Sequence, residues 1–480
     1  MLSNPVKSRF DRYLLDRLAT SIIVCIAATS SLIGHHQAHS AEPPRGPNII
    51  FILADDLGYG DIGSYGQQRI KTSNLDRLAA AGMRFTDCYA GSTVCAPSRC
   101  ALMTGLHSGH GRIRGNGEVP LSATDVTIAK ILKQAGYVTG IFGKWGLGEA
   151  ETTGVPNAQG FDEWFGYLNQ KHAHNYYPDF LWHNRERQPI AGNVVVNNVA
   201  RERAVYSQDL FVQHAIDFLD RHQRDRFFLY LPFTSPHANN EAGQQGMEIP
   251  TDEPYSHESW PAAQKNHAAM ITRLDRDVGS ILDRLHELQL DQQTIVFFSS
   301  DNGPHKEGGA DPKFFDSAGP LRGHKRDLYE GGIRVPMIVR WPGNVAAGST
   351  NDHAWAFWDV LPTLAELAGA KPAAGIDGIS VVPTLLGADA AGREQPRHEF
   401  LYWEFHERGF KQAVRAGSWK AIRFGLKGPI ELYDLDKDLG ETTDVGKDHP
   451  GVVAKLTNML DTARTESADW PVRENDAPQR

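Results

Sequence analysis

Apolar runs that end abruptly in charged or polar pairs alternate along this chain with stretches of helical periodicity. Residues 47–54, apolar apart from Asn48, stop abruptly at Asp55-Asp56, the pattern of a strand buried on both faces. Residues 72–81 predict a helix stopped by Gly82, and 83–90 a strand. Residues 125–135 predict an amphipathic helix stopped by Gly136, leading into a strand over 137–142. A helix over 204–222 precedes a strand over 226–233, and the longest helix, 262–288, precedes a strand over 294–298. This alternation argues for a large mixed, mostly parallel sheet flanked by helices, an α/β fold.

The pattern changes after a polar break containing Gly, Ala and Pro at 389–396. Short strand-like pieces follow at 400–405, 410–416, 419–424 and 431–434, then a helix over 452–465. They predict a smaller C-terminal domain of antiparallel sheet plus helix. The expected organisation is a large N-terminal domain over 46–390 and a C-terminal subdomain over 396–480. No internal repeat or low-complexity stretch interrupts it.

Residues 1–40 stand apart. Lys7, Arg9, Arg12 and Arg17 precede an apolar run from Leu18 to Ile33, and small residues stand at Ala38 and Ser40. This reads as a secretory signal peptide cut after Ser40, and the expectation is an exported protein, periplasmic or secreted, with no stable membrane insertion after cleavage. An uncleaved anchor is the competing reading; the run is short for a span and broken by Thr20, Ser21, Thr29, Ser30 and Ser31. Cleavage removes four cationic residues and two acidic ones, Asp11 and Asp16, so the formal charge of −9 becomes −11. A chain this acidic is not drawn to nucleic acid by its overall field. Any anionic substrate must be attracted by a local cationic pocket. Cys25 leaves with the leader; Cys88, Cys95 and Cys100 are too few for a disulfide framework, although Cys88 and Cys100 are candidates for one bridge.

Four polar clusters follow the ends of expected buried strands: Asp55-Asp56, Lys144, Ser235-Pro236-His237 and Asp301-Asn302. Ligands of open α/β sheets bind at that edge. Any one cluster alone reads as a turn or helix cap. Together, Asp55, Asp56, Asp301 and Asn302 offer only oxygen donors, which suit a hard cation: calcium first, magnesium second.

The most specific signal is Cys95-Ala-Pro-Ser-Arg99, followed by Cys100-Ala-Leu-Met-Thr-Gly105. With Asp55-Asp56-Leu-Gly-Tyr-Gly60, Gly143-Lys-Trp145, Ser235-Pro-His237, Ser300-Asp-Asn-Gly303 and the stretch from Lys325 to Pro336, it resembles the type I sulfatase family of the alkaline phosphatase superfamily. The resemblance runs over nearly the whole chain after the leader. It implies that Cys95 is oxidised to formylglycine by a maturation enzyme and joins Asp55, Asp56, Asp301 and Asn302 at the metal. It implies that one hydroxyl of the hydrated aldehyde attacks sulfur and that the second expels sulfate from the covalent intermediate. It further implies that Arg99 orients the diol, that Lys144 and Lys325 bind sulfate oxygens, and that His237 protonates the leaving oxygen. The substrate class is then a sulfate ester, either an aryl sulfate or a sulfated saccharide.

The family usually carries Gly-Lys-Trp-His-Leu-Gly where this chain has Gly143-Lys-Trp-Gly146-Leu-Gly148, so one imidazole beside the formylglycine is missing. His172 and His174, in an aromatic-rich stretch over 166–178, are candidates to supply it; a substrate-binding loop is the competing reading. His107, His110, Arg112 and Arg114 either add positive field near the pocket or face solvent. Two rival functions stand beside the sulfatase: a phosphonate monoester or phosphodiester hydrolase on the same fold, and a catalytically inactive protein that binds sulfated glycans.

Overall fold

The structure, a computed structural model, describes Met1 and residues 46–473; the expected leader lies outside the described residues. The centre is five parallel strands, whose order decides where the site forms. They are β1 (Asn48–Ala54), β3 (Val138–Lys144), β4 (Glu163–Tyr167), β7 (Phe227–Pro232) and β8 (Thr294–Ser300). The flanking strands are β2 (Met83–Phe85), β5 (Phe180–His183), β6 (Glu186–Pro189), β9 (Met337–Arg340) and β10 (Ser349–Asn351). Across the sheet the order is β10-β2-β9-β8-β1-β7-β3-β4-β5-β6. β1 lies between β7 and β8, parallel to both, while β9 runs antiparallel beside β8.

Every residue of β1 is buried because helices cover both faces. Ile49, Phe51 and Leu53 face one core, with the helices α2 (Cys95–Thr104), α3 (Ile128–Gln134) and α6 (Val360–Leu367). Ile50, Ile52 and Ala54 face the other, with α1 (Ser73–Ala80), α4 (Ser207–His222) and α5 (Ala262–Glu287). The two-residue side-chain period of a strand divides its apolar residues between the two layers.

Two elements differ from the sequence reading. The strand expected over 83–90 is broken: Thr86 N–H bonds Asn351 C=O, and Cys88–Tyr89 pairs instead with Trp355–Ala356. The helix expected from 125 begins at Ile128, because the Thr127 side chain accepts the Lys130 N–H and acts as the N-cap.

The C-terminal sheet is β11 (Leu401–Phe405), β12 (Lys411–Ala416), β13 (Trp419–Phe424) and β14 (Ile430–Asp434), antiparallel in that order, with α7 (Pro450–Thr462) on one face. It is fastened to the large sheet by polar contacts as well as apolar ones. The Trp403 indole N–H donates to Ala90 C=O at 2.9 Å. Buried Glu330 accepts from Lys420 at 2.9 Å and from the Tyr89 hydroxyl at 2.6 Å.

Candidate active site

The parallel strands deliver their last residues to one edge. Asp55 and Asp56 follow β1, Asp301 and Asn302 follow β8, Lys144 closes β3, and His237 lies in the loop after β7. Because β1 is the common neighbour of β7 and β8, the loops after all three meet. Cys95 is the first residue of α2, and Arg99 stands four residues on, on the same helical face. All eight of these side chains are buried.

The contacts form one network. Cys95 Sγ lies 3.3 Å from Asp55 Oδ1, and Lys144 Nζ donates to Asp55 Oδ2 at 2.7 Å. Arg99 grips Asp301 Oδ2 through Nε and Nη2 at 3.0 and 2.9 Å and donates Nη1 to Lys144 C=O at 2.6 Å. The Asn302 amide donates to Asp56 Oδ1 at 2.7 Å, and Lys325 Nζ to Asp56 Oδ2 at 2.8 Å. Lys325 Nζ also stands 3.1 Å from His237 Nε2. His237 Nδ1 faces the Ala238 carbonyl at 2.7 Å. A carbonyl only accepts, so Nδ1 carries the proton, and Nε2 of the neutral ring receives the Lys325 bond.

Three carboxylates therefore face three fixed cations, Arg99, Lys144 and Lys325. Burial raises the Asp55 carboxyl, but Lys144, with His237, Arg99 and Lys325, overcomes this and holds it well below the usual range. Asp301 is pushed the other way, by burial and then by the Asp55 charge. Burial would lower Lys144 and Lys325, yet Asp55 and Asp56 respectively raise them, so both stay charged. Burial first, then Lys325, holds His237 well below the ordinary imidazole value. The Cys95 thiol is raised by burial and by Asp55.

The donor set fits a hard cation. Asp55, Asp56, Cys95 and His237 present ligand atoms within 4.8 Å of one another. Asn302 Oδ1 is buried with no hydrogen-bond partner, an acceptor left for a cation. The Cys95 sulfur and the His237 nitrogen are out of keeping with an oxygen cage; with Asp301 and Asn302 in place of His237, and an oxygen-bearing group at position 95, the set is all oxygen.

Gly146 stands where the imidazole is missing. Its φ is +78°, and a Cβ there would meet the Gln170 amide nitrogen at 2.3 Å, so the Gln170 side chain fills the gap. His174 is brought to the site: its ring lies on His237, and its Nδ1 is 3.0 Å from Glu241 Oε2. His172 is not; its ring packs on Tyr167 and Phe180. Sequence reading missed Gln170, Glu241 and Glu307. Gln170 lay within the stretch already singled out and Glu241 in the loop over 239–260, which carries no readable code; nothing local marked Glu307. Glu307 Oε2 lies 3.4 Å from Lys325 Nζ, and Oε1 lies 2.6 Å from Arg326. Cys88 and Cys100 are free buried thiols, so the candidate bridge does not form. His107 and His110 turn to Asp377 and Arg114 to Glu404, so these three are engaged away from the pocket; burial pushes His107 down to about 4, so its ring adds no positive field. Arg112 is half-exposed and reaches Asp469 at 3.8 Å.

Comparison with known proteins agrees with this geometry. The family model "Sulfatase" matches residues 47–370, and "N-sulphoglucosamine sulphohydrolase, C-terminal" matches 323–466. An N-acetylgalactosamine-6-O-sulfatase of Bacteroides thetaiotaomicron is 30% identical, over 89% of this chain and 95% of its own length. Arylsulfatase A of Bos taurus is 35% identical over 82% of each. The crystal structure of Ps i-CgsB in complex with k-i-k-neocarrahexaose is similar at a TM-score of 0.73 and 29% identity, covering 88% of this chain and 96% of that one. The match extends from β1 through the C-terminal sheet and takes in every strand end that builds the polar cluster: the chain belongs to the sulfatase family and is a sulfuric ester hydrolase.

Proposed function

We propose that the protein is an exported sulfatase acting on sulfated saccharides, with formylglycine at position 95 and calcium held by Asp55, Asp56, Asp301, Asn302 and the modified residue. The observation that carries this reading is the seat of Cys95. It is a free thiol, 1% exposed, at the start of a helix and against Asp55, in a cluster whose other ligands are hard. Because Cys95 is buried, its oxidation by a maturation enzyme has to precede folding of α2. The leader read over residues 1–40 supports export. Relatives named for N-acetylgalactosamine-6-sulfate, and a similar structure holding a neocarrahexaose, support a saccharide substrate.

Bound calcium would supply positive charge against the negative charge that develops at the nucleophile. The hydrated aldehyde would supply two hydroxyls on one carbon, one to attack sulfur and one whose deprotonation releases sulfate. Arg99, fixed by Asp301 and the Lys144 carbonyl, holds positive charge next to position 95. Lys144 and Lys325 are assigned to the sulfate oxygens; each is already anchored on a carboxylate, so little reorganisation accompanies the reaction. The paired His237 and Lys325 hold the proton for the departing alcohol oxygen between Nε2 and Nζ.

The test is peptide mass spectrometry of position 95 in active protein, alongside turnover of a panel of sulfated saccharides and aryl sulfates. The expected result is replacement of the thiol by an aldehyde and turnover of a saccharide ester. An unmodified thiol in fully active protein overturns the assignment.

A further inference from the structure

A second cationic cavity opens beside Lys325. It measures about 280 Å³ and is lined by Lys306, Lys325 and Arg326 from the large domain and by Phe405, Arg408 and Lys411 from the C-terminal sheet. Two carboxylates also line it, and both are already engaged. Glu307 is bound by Lys325 and Arg326, and Asp327 accepts the His324 backbone N–H at 3.1 Å. Lys306, Arg408 and Lys411 make no ion pair among the described residues. Three cations outside direct ion pairs thus converge on one hollow of a chain whose net charge is −9, with Asp327 the carboxylate whose charge Lys411 feels.

Lys306 and Arg408 are exposed at the rim of the cavity, whereas Lys411 is partly buried. The Lys411 ammonium lies over the rings of Phe405 and Phe424, at 5.6 and 6.0 Å. Burial and the Arg408 charge, against the pull of Asp327, hold Lys411 below the usual ammonium range. Arg408 takes a φ of +57° in the turn between β11 and β12, a conformation that costs a non-glycine residue energy.

From this arrangement we infer a second anion subsite: the preferred substrate carries, besides the scissile sulfate, another sulfate or carboxylate that sits between Lys306, Arg408 and Lys411. This rests on the sulfatase reading of the Lys325 pocket, which it shares, and deepens it to a polyanionic saccharide. The two regions share Lys325, which lines this cavity and also reaches Asp56 at 2.8 Å, so a second anion there would sit beside the sulfate-binding cations.

The test compares native protein with the double variant Arg408→Gln, Lys411→Gln on three probes: N-acetylgalactosamine 6-sulfate, N-acetylgalactosamine 4,6-disulfate, and the 6-sulfated sugar linked to a uronic acid. The native protein is expected to favour one dianionic probe at least about tenfold in kcat/KM, mostly through KM, as a charged hydrogen bond supplies. The variant should lose that preference and its salt dependence while turning over the monosulfated probe unchanged. Whether the disulfate or the uronide carries the preference identifies the anion. Binding of the corresponding products, still bearing the second anion, is measured by calorimetry so that the subsite is tested without turnover. Tighter product binding by native protein than by the variant, with no turnover of any probe, leaves the subsite and refutes the reaction. Equal binding by the two proteins, or equal kcat/KM on all three probes, overturns the subsite.

Discussion

The imidazole of His174 lies flat against that of His237, with ring centroids 4.8 Å and planes 14° apart, and Glu241 holds its far side. His237 is thereby fixed from the ring face as well as by Lys325 and the Ala238 carbonyl. Changing His174 to Ala is expected to lower kcat roughly tenfold, less than the loss of a general acid–base group itself, with little change in KM. His172→Ala should leave kcat alone and reduce stability by about 1–3 kcal/mol, because that ring packs on Tyr167 and Phe180 away from the site. Single-turnover kinetics and thermal melts on both variants separate the two roles. Equal kinetic effects would show that the stack does not position His237.

At Gly146 the backbone, not the crowding by Gln170, should set the cost of a side chain. Gly146→Ala is expected to destabilise by about 1–2 kcal/mol, the penalty for the left-handed region. Adding Gln170→Ala should recover little of it, since the Gln170 amide is a flexible end that can swing aside. Denaturant unfolding of the single and double variants measures this. Full recovery in the double variant would place the strain in the contact instead.

Asp301→Asn keeps the shape of the side chain and removes the charge that pairs with Arg99. The buried guanidinium then loses the Asp301 charge but keeps Asp55 Oδ2 at 3.3 Å, so the loss of stability is expected to fall below the cost of a buried charge left unpaired, about 3–5 kcal/mol. Calcium added to chelator-treated native protein is expected to raise Tm and restore turnover, and the variant should show neither response. Full activity in rigorously chelated native protein would remove the metal from the mechanism.

Glu404 gives the C-terminal junction a pH dependence. Burial raises its carboxyl, but the His406 hydrogen bond and the Arg114 and Arg464 charges bring it down to about 2 from an ordinary 4.5. A depressed carboxyl stabilises above the unfolded value and loses that stability as pH falls from about 4.5 towards 2. The shift corresponds to about 3 kcal/mol at pH 7. Glu404→Gln should therefore be less stable at pH 7, and the gap to the native protein should shrink below pH 3. Urea unfolding at the two pH values tests this, and a gap independent of pH refutes it.

Periodicity alone determined the alternation of buried strands and amphipathic helices and the change to antiparallel strands near 400. The reason is local: a strand covered on both faces must be apolar almost throughout, as residues 49–54 are, and a chain that stops being apolar at Asp55 has left the sheet. The Cys95-Ala-Pro-Ser-Arg99 motif was legible through its resemblance to the sulfatase family, and its members lie together at the start of one helix. The order of the strands was another matter. Sequence separates Asp55 from Asp301 by some 250 positions, and only the pairing of β1 between β7 and β8 brings their carboxylates to the same network. His172 and His174 are two residues apart and chemically alike, yet one meets His237 and the other an aromatic pocket. A short 3-10 turn over His172–His174 sends their rings in different directions, and no pattern in the sequence encodes that. Arg408 and Lys411 carried no signal beside Lys306 and Lys325, because long-range packing of the C-terminal sheet, not proximity along the chain, brings like charges together around one cavity.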